Sequence, residues 1–303
     1  MRTRIKLPDG ILSEIIKVSV VQIGYKLYVN RDSNCVELFE GKPYSMKVFD
    51  ILDELGKDGV NLTVLPEYSL SKSMLVSIKK IVDKWGFLLI GGSYHDTHSK
   101  QNVCPIIIPD CNTVTFAKSC LAPFEQKYVI PADEVGISIE WQVGAASYVI
   151  QCYICLDYLS SALYEDAMLD AETGIAVVVS CSNALSDFFN LANIHLRHEK
   201  GKFVVIANAA RSTLRFNERE EHLLSNGQSS VFGSFEEGRR GMPYIMFEKG
   251  LSIEGVLGCN INLGNPKYTE EKPTPVRRRF PMPPIYNGSI RYLRIKEEGL
   301  ALP

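Results

Sequence analysis

The chain has 303 residues, is 46% hydrophobic and 22% charged, and carries a formal net charge of −2. That length holds one large α/β domain or two ordinary ones, with a composition typical of a globular protein. A near-neutral balance gives no global attraction to nucleic acid or to an anionic membrane, and no apolar run reaches the ~20 residues of a membrane helix, so neither partner is expected.

Residues Met1 to Glu14 read as an extension. Arg2, Arg4 and Lys6 are followed by Pro8, Asp9 and Gly10 before any apolar stretch, which is not a secretory signal. The eight cysteines are scattered, mostly through apolar stretches, as reduced buried thiols of a cytoplasmic protein are. Ile15 to Ile23 is apolar enough for a central strand, and Arg31 to Lys42 reads as loop. Val48, Phe49, Leu52 and Leu55 form a helical stripe over Tyr44 to Leu55, closed by Gly56 and Gly59. Asn61 to Leu65 is a short strand broken by Pro66, a helix capped at Ser71 or Ser73 runs to Trp85, and Phe87 to Ile90 is the next strand. Val103–Ile108 and Thr113–Ala117 form a β-hairpin around Pro109-Asp110-Cys111-Asn112. Ser119 to Gly144 is long and irregular, the kind of loop that carries function.

Ser147 to Tyr158 is a buried strand ending at Cys155, with Ser160 and Ser161 placed to cap a helix over Ala162–Leu169. A thiol at such a strand end, close to unpaired backbone N–H groups, is expected to favour the thiolate. Ile175–Val179 is a strand, Asp187–Lys200 a helix, and Phe203–Ala207 a strand ending at Asn208. Ser229–Phe232, Tyr244–Phe247 and Ile253–Ile261 are late strands, and the last forty residues are proline-rich with Arg277-Arg278-Arg279. Alternating strands and helices with a central hairpin predict an α/β protein with mixed sheets.

Three chemically capable residues sit where strands stop: Glu67, Lys118 and Cys155. Ligands gather outside strand ends in open α/β folds. A carboxylate, an ammonium and a thiol together supply a proton acceptor, a stabiliser of negative charge and a nucleophile for attack on a carbonyl. Lys127 is the rival for the lysine role but has no strand before it.

The local sequences around these residues resemble the nitrilase, or carbon–nitrogen hydrolase, superfamily. Leu65-Pro66-Glu67 is similar to its glutamate motif, Phe116 to Glu125 to its lysine motif, and Ile154-Cys155-Leu156-Asp157 to its cysteine motif. Asn193 to Asn208 and Gly227-Gln228-Ser229 resemble later elements, so the likeness runs from about Lys17 to Leu263. The glycine that often precedes the family's cysteine strand is replaced by Gln151 and Cys152, and the charged segment from Arg211 to Asn226 matches no family pattern. The resemblance implies a four-layer α-β-β-α sandwich of the nitrilase type over residues 15–263, flanked by the 1–14 extension and by a 264–303 tail that is an arm or an oligomer contact. It implies an amidase-type hydrolase that cleaves a non-peptide C–N bond through a Cys155 thioester, with Glu67 as acid and base and Lys118 and the Leu156 backbone N–H as oxyanion donors. Glu125, with Glu134 behind it, is the substrate-orienting candidate. No cofactor is implied, the partner is a small-molecule amide or a related substrate, and the protein is expected to be a homodimer or a higher homo-oligomer. An acyltransferase using the same triad, or a non-catalytic assembly or regulatory module, are the alternatives. Faster labelling of Cys155 than of the other thiols by iodoacetamide separates the catalytic reading from the scaffold.

His95–His98 and His195–His198 have no third ligand at a fixed spacing, so no metal is expected. Gly91-Gly92-Ser93 lacks the lysine and helix start of a phosphate loop, and Arg277–Arg279 lacks interleaved aromatics.

Overall fold

The computed structural model describes residues 3–39, 41–161, 173–197, 203–217, 220–233, 245–246, 254–264, 276–279 and 293–294. One sheet has the spatial order β20 (Leu293–Arg294), β19 (Val276–Arg279), β18 (Gly255–Asn262), β2 (Ile15–Gln22), β5 (Leu62–Leu65), β6 (Leu88–Gly91), β8 (Gln101–Ile107), β7 (Tyr94–Asp96), with β9 (Val114–Ala117) added on β8. A second runs β1 (Arg4–Lys6), β10 (Ile137–Val143), β11 (Ala146–Ile154), β12 (Thr173–Ser180), β13 (Phe203–Asn208), β16 (Ser230–Gly233), β17 (Ile245–Met246). Both have parallel centres, β2–β5–β6 and β11–β12–β13, flanked by antiparallel strands.

Side-chain alternation sets the layers. Ile16, Val18 and Val20 of β2, Leu62 and Val64 of β5, Leu88 and Ile90 of β6, and Cys104 and Ile106 of β8 pack in one core with the second sheet. Their neighbours Val21, Leu65, Leu89 and Ile107 point the other way, onto α1 (Lys42–Lys57) and α2 (Leu75–Trp85) through Val48, Ile51, Leu52, Leu55, Ile78 and Val82. α3 (Leu156–Ser160) and α4 (Ser186–Arg197) pack on the second sheet, where Phe188 stacks on Tyr158 and Phe189 meets Phe232. The result is the expected α-β-β-α sandwich.

Several short strands were hidden in the sequence. Tyr25–Asn30 (β3), which had no assignment, and Cys35–Leu38 (β4), inside the expected loop, form a hairpin that turns through Asn34 at φ +52°. It joins β14 (Ser212–Asn217) and β15 (Glu220–Ser225), the charged segment that matched no pattern, in a third, four-stranded sheet. The irregular stretch from Ser119 contains β10, whose Ile137, Ile139 and Trp141 alternate inward, and the N-terminal extension supplies β1 beside it. A short helix not expected from the sequence, α3, begins directly after Cys155 and runs to Ser160, and the hydroxyls of Ser160 and Ser161 donate back to the Asp157 and Tyr158 carbonyls at 2.8 and 2.6 Å. The helix expected over Ala162–Leu169 and residues 198–200 of the next lie outside the described residues.

Candidate active site

The site forms where strands from both sheets end. Pro66 closes β5, since it has no N–H for a central ladder, and the chain turns through Tyr68 at φ +59°. The adjacent β6 ends at Gly91, φ +109°, where a Cβ would lie 2.2 Å from the Leu65 carbonyl oxygen. Only glycine lets the two strand ends approach this closely. Glu67 N–H donates to Ser180 O at 3.3 Å, tying this end to β12 of the other sheet, and Tyr25 OH donates to the Glu67 carbonyl. Lys118 follows β9 and is fixed by its N–H on Asn102 O at 2.9 Å. Cys155 follows β11 at φ +49°, ψ −111°, with its N–H on Val179 O at 2.8 Å. Such a backbone is costly for a non-glycine residue and persists only where its surroundings enforce it.

Lys118 Nζ lies between two carboxylates, 2.8 Å from Glu67 Oε1 and 2.5 Å from Glu125 Oε2. Asn102 Nδ2 donates to Glu67 Oε1 at 2.9 Å and to Glu125 Oε1 at 3.0 Å. Glu125 also accepts Tyr68 OH at 2.6 Å and the Ala122 N–H at 2.7 Å, and Glu67 Oε2 accepts the Cys181 N–H at 3.1 Å. Ser180 Oγ donates to Cys155 Sγ at 3.8 Å. Glu67, Lys118, Glu125 and Cys155 are 2%, 0%, 0% and 4% exposed, so these charges act on one another with little screening by water.

Burial, and then the charge of Glu125, raise the Glu67 carboxyl above its ordinary value although Lys118 opposes them. Burial works against the Lys118 charge, but Glu125, Glu67 and Cys155 outweigh it and hold the ammonium well above its usual range. Burial and Glu67 push the Cys155 thiol far up, against Lys118 and the Ser180 hydrogen bond. This corrects the expectation of a resting thiolate: the desolvated site next to two carboxylates favours the neutral thiol.

Asp157, two residues beyond Cys155, is fully buried and accepts the Cys120 N–H at 2.6 Å and the Ser119 N–H at 3.1 Å. It clamps the segment after Lys118 to the turn that presents Cys155. Burial lifts its carboxyl to about 7. The Leu156 N–H opens α3 and has no intrahelical acceptor. On its other side the Tyr68 loop borders a cleft of about 710 Å³, lined also by Tyr28, Tyr94, His95 and Arg215.

No protein-family model matches the sequence, and no curated protein matches it. Solved structures do. An amidase from Nesterenkonia sp. superposes with a TM-score of 0.60 over 85% of this chain and 93% of its own, at 13% identity. A mutant of the Nesterenkonia AN1 amidase, described as from the nitrilase superfamily, matches at 0.58 over 80% and 90%, also at 13%. A CN-hydrolase superfamily protein from Xanthomonas campestris, with an arsenic adduct in its active site, matches at 0.56 over 82% and 90%, at 16%. The chain has the nitrilase fold.

Within that nitrilase fold, Glu67, Lys118, Cys155 and Glu125 share one buried cluster. Glu134 does not join them: it is exposed and bonds Thr3 at 2.7 Å, because Ala132 N–H bonds back to Lys118 O and the following residues turn outward beside β1. Lys127 is exposed too, over the ring of Tyr128. The sequence reading missed Asn102, Tyr68 and Asp157. Tyr68 and Asp157 were visible only as neighbours of motif residues, and Asn102 carried no signal beyond being a polar residue at the start of an apolar strand. His95 Nδ1 accepts the Val36 N–H and His195 Nδ1 meets Tyr158 OH, both at 2.9 Å, so both rings have places in the packing. Among the described residues no group of three His, Cys, Asp or Glu side chains could hold a metal, and no helix is long and apolar enough to cross a membrane.

Proposed function

We propose that the chain is a carbon–nitrogen hydrolase that cleaves a small amide through a thioester on Cys155. The observation that carries this reading is the convergence of Glu67, Lys118 and Cys155 from three separate strand ends in one water-poor cluster. The neighbours agree in chemistry: Nesterenkonia amidase structures are described with butyramide bound and with acrylamide added at the active site cysteine.

Cys155 Sγ attacks the amide carbon while its proton passes to Glu67. The carbonyl electron pair becomes an oxyanion facing Lys118 and the Leu156 N–H. Two of the three ammonium protons are engaged by Glu67 and Glu125, leaving the third for this oxygen. Glu67 returns the proton to the leaving nitrogen, the C–N bond breaks, and ammonia or an amine departs. Water then attacks the thioester and gives a proton to Glu67. The C–S bond breaks, the proton returns to sulfur, and a carboxylic acid leaves. Glu125 holds Lys118 in place, and no step requires a cofactor.

The test is ammonia release from butyramide, acrylamide and other short amides. Wild type is expected to turn over at least one of them. Cys155→Ala and Glu67→Gln should fall to background with unchanged circular dichroism. Wild-type rates in the Cys155→Ala protein would sink the assignment. We also propose that the protein is a cytoplasmic homodimer or larger, which light scattering on the purified chain checks.

A further inference from the structure

Counting acceptor positions separates the two carboxylates that flank Lys118. Each carboxylate offers about four lone-pair positions. Those of Glu125 are all taken: Oε1 by Tyr68 OH and Asn102 Nδ2, Oε2 by Lys118 Nζ and the Ala122 N–H. Glu67 Oε1 is likewise filled, by Lys118 and Asn102, but Oε2 accepts only the Cys181 N–H. Among the described residues, the two carboxylates therefore have one lone-pair position without a donor between them, on Glu67 Oε2.

We propose that Tyr68 and Asn102 are positioning residues that keep Glu125 fully hydrogen-bonded, so that the thiol proton of Cys155 goes to Glu67 Oε2 and not to Glu125. The role rests on the proposed hydrolase reading and deepens it. Asn102 is fully buried, and its Oδ1 meets no donor, so its orientation is set by the two carboxylates its amide spans. Tyr68 is held by its own N–H on Ser93 Oγ at 3.0 Å, which aims the phenol at Glu125. The titratable groups facing Glu125 are Lys118, Glu67, Tyr68, Cys155 and, from β7, His95. With a donor removed, Glu125 gains an open position and competes for the proton. Once it holds one, Lys118 pairs with Glu67 alone and weakens it as a base.

The experiment follows alkylation of Cys155 by acrylamide against pH, by intact and peptide mass spectrometry, which needs no turnover. In Tyr68→Phe the acidic limb of the rate profile is expected to move up by about one pH unit, the value of one hydrogen bond to a charged group. Asn102→Ser should move it in the same direction. In a Glu125→Gln background, Tyr68→Phe should move it no further. An unmoved limb in a folded Tyr68→Phe protein, an equal shift in the Glu125→Gln background, or no alkylation of wild-type Cys155 at any pH overturns the proposal. Absence of amide turnover with the shifts intact would count against the hydrolase reading and leave this proton assignment standing.

Discussion

Replacing Lys118 by methionine probes the cluster most directly, because methionine keeps an unbranched side chain, one atom shorter, and removes the charged donor. The wild-type cluster is two carboxylates and one ammonium, all within hydrogen-bond distance and 0–2% exposed. Without the ammonium, two buried carboxylates face each other across Asn102. Breaking one partner out of a buried ion cluster costs about 3–5 kcal/mol, and near-complete burial means no discount for solvent screening. The protein limits the loss by binding a proton that the unfolded chain does not bind at neutral pH. The folded value of the carboxylate pair then lies far above its unfolded value. Stability is full below the unfolded carboxylate range and is lost as pH rises through the folded value, at about 1.4 kcal/mol per pH unit for one proton. Urea unfolding of Lys118→Met against wild type, at about pH 5.5 and about pH 8, should show the larger deficit at the higher pH. Adding Glu125→Gln should remove most of that pH dependence. A deficit under about 1 kcal/mol, equal at both pH values, would refute the reasoning, since it is the size expected of a solvated surface pair.

Asp157 carries a second pH signature. Burial lifts its folded value from 3.8 to about 7, so its contribution is full below the unfolded value and falls away as pH rises between them. About three units correspond to a loss of roughly 4 kcal/mol over that window. Asp157→Asn retains an oxygen for the Ser119 and Cys120 N–H groups and should flatten this part of the stability–pH curve. Denaturant unfolding in which the variant tracks wild type across the window would refute the account. Gly91→Ala puts a methyl 2.2 Å from the Leu65 carbonyl at φ +109°. It should cost about 2–5 kcal/mol from overpacking and left-handed backbone together, read as a drop in melting temperature. A variant that melts with wild type would show that the two strand ends do not meet as described.

The sandwich was legible because its central strands are buried on both faces. Ile175–Val179 is a continuous apolar run and Leu62–Leu65 one interrupted only by Thr63, each bounded by breakers, a pattern that suits a covered parallel sheet. The third sheet was illegible for the opposite reason. Its strands carry charges such as Arg215, Glu220 and Glu221 on exposed positions, and their pairing of β14 with β3 joins residues far apart in sequence. At the site, Glu67, Lys118 and Cys155 could be picked out because each follows an apolar run with a chemically unusual side chain. Asn102 and Tyr68 could not, because their importance lies in what they touch. The expectation of a thiolate failed similarly. It counted nearby N–H groups, whereas the fold also brings two carboxylates and removes water.

That failure constrains the chemistry. Glu67, Glu125 and Lys118 sum to one buried negative charge beside Cys155, so a thiolate before substrate arrives would place a second anion in the same desolvated space. In the proposed hydrolase the thiol therefore loses its proton as sulfur attacks, when the departing charge passes through the carbonyl to an oxygen that Lys118 can reach. On that proposal a fully bonded Glu125 keeps Lys118 charged and fixed throughout, while Glu67, with one position open, is the member of the pair that changes protonation state during the reaction. On the proposed reading, the neutral resting thiol and the asymmetry of the two carboxylates are thus consequences of one arrangement, in which sulfur gives up its proton as the amide carbon is attacked.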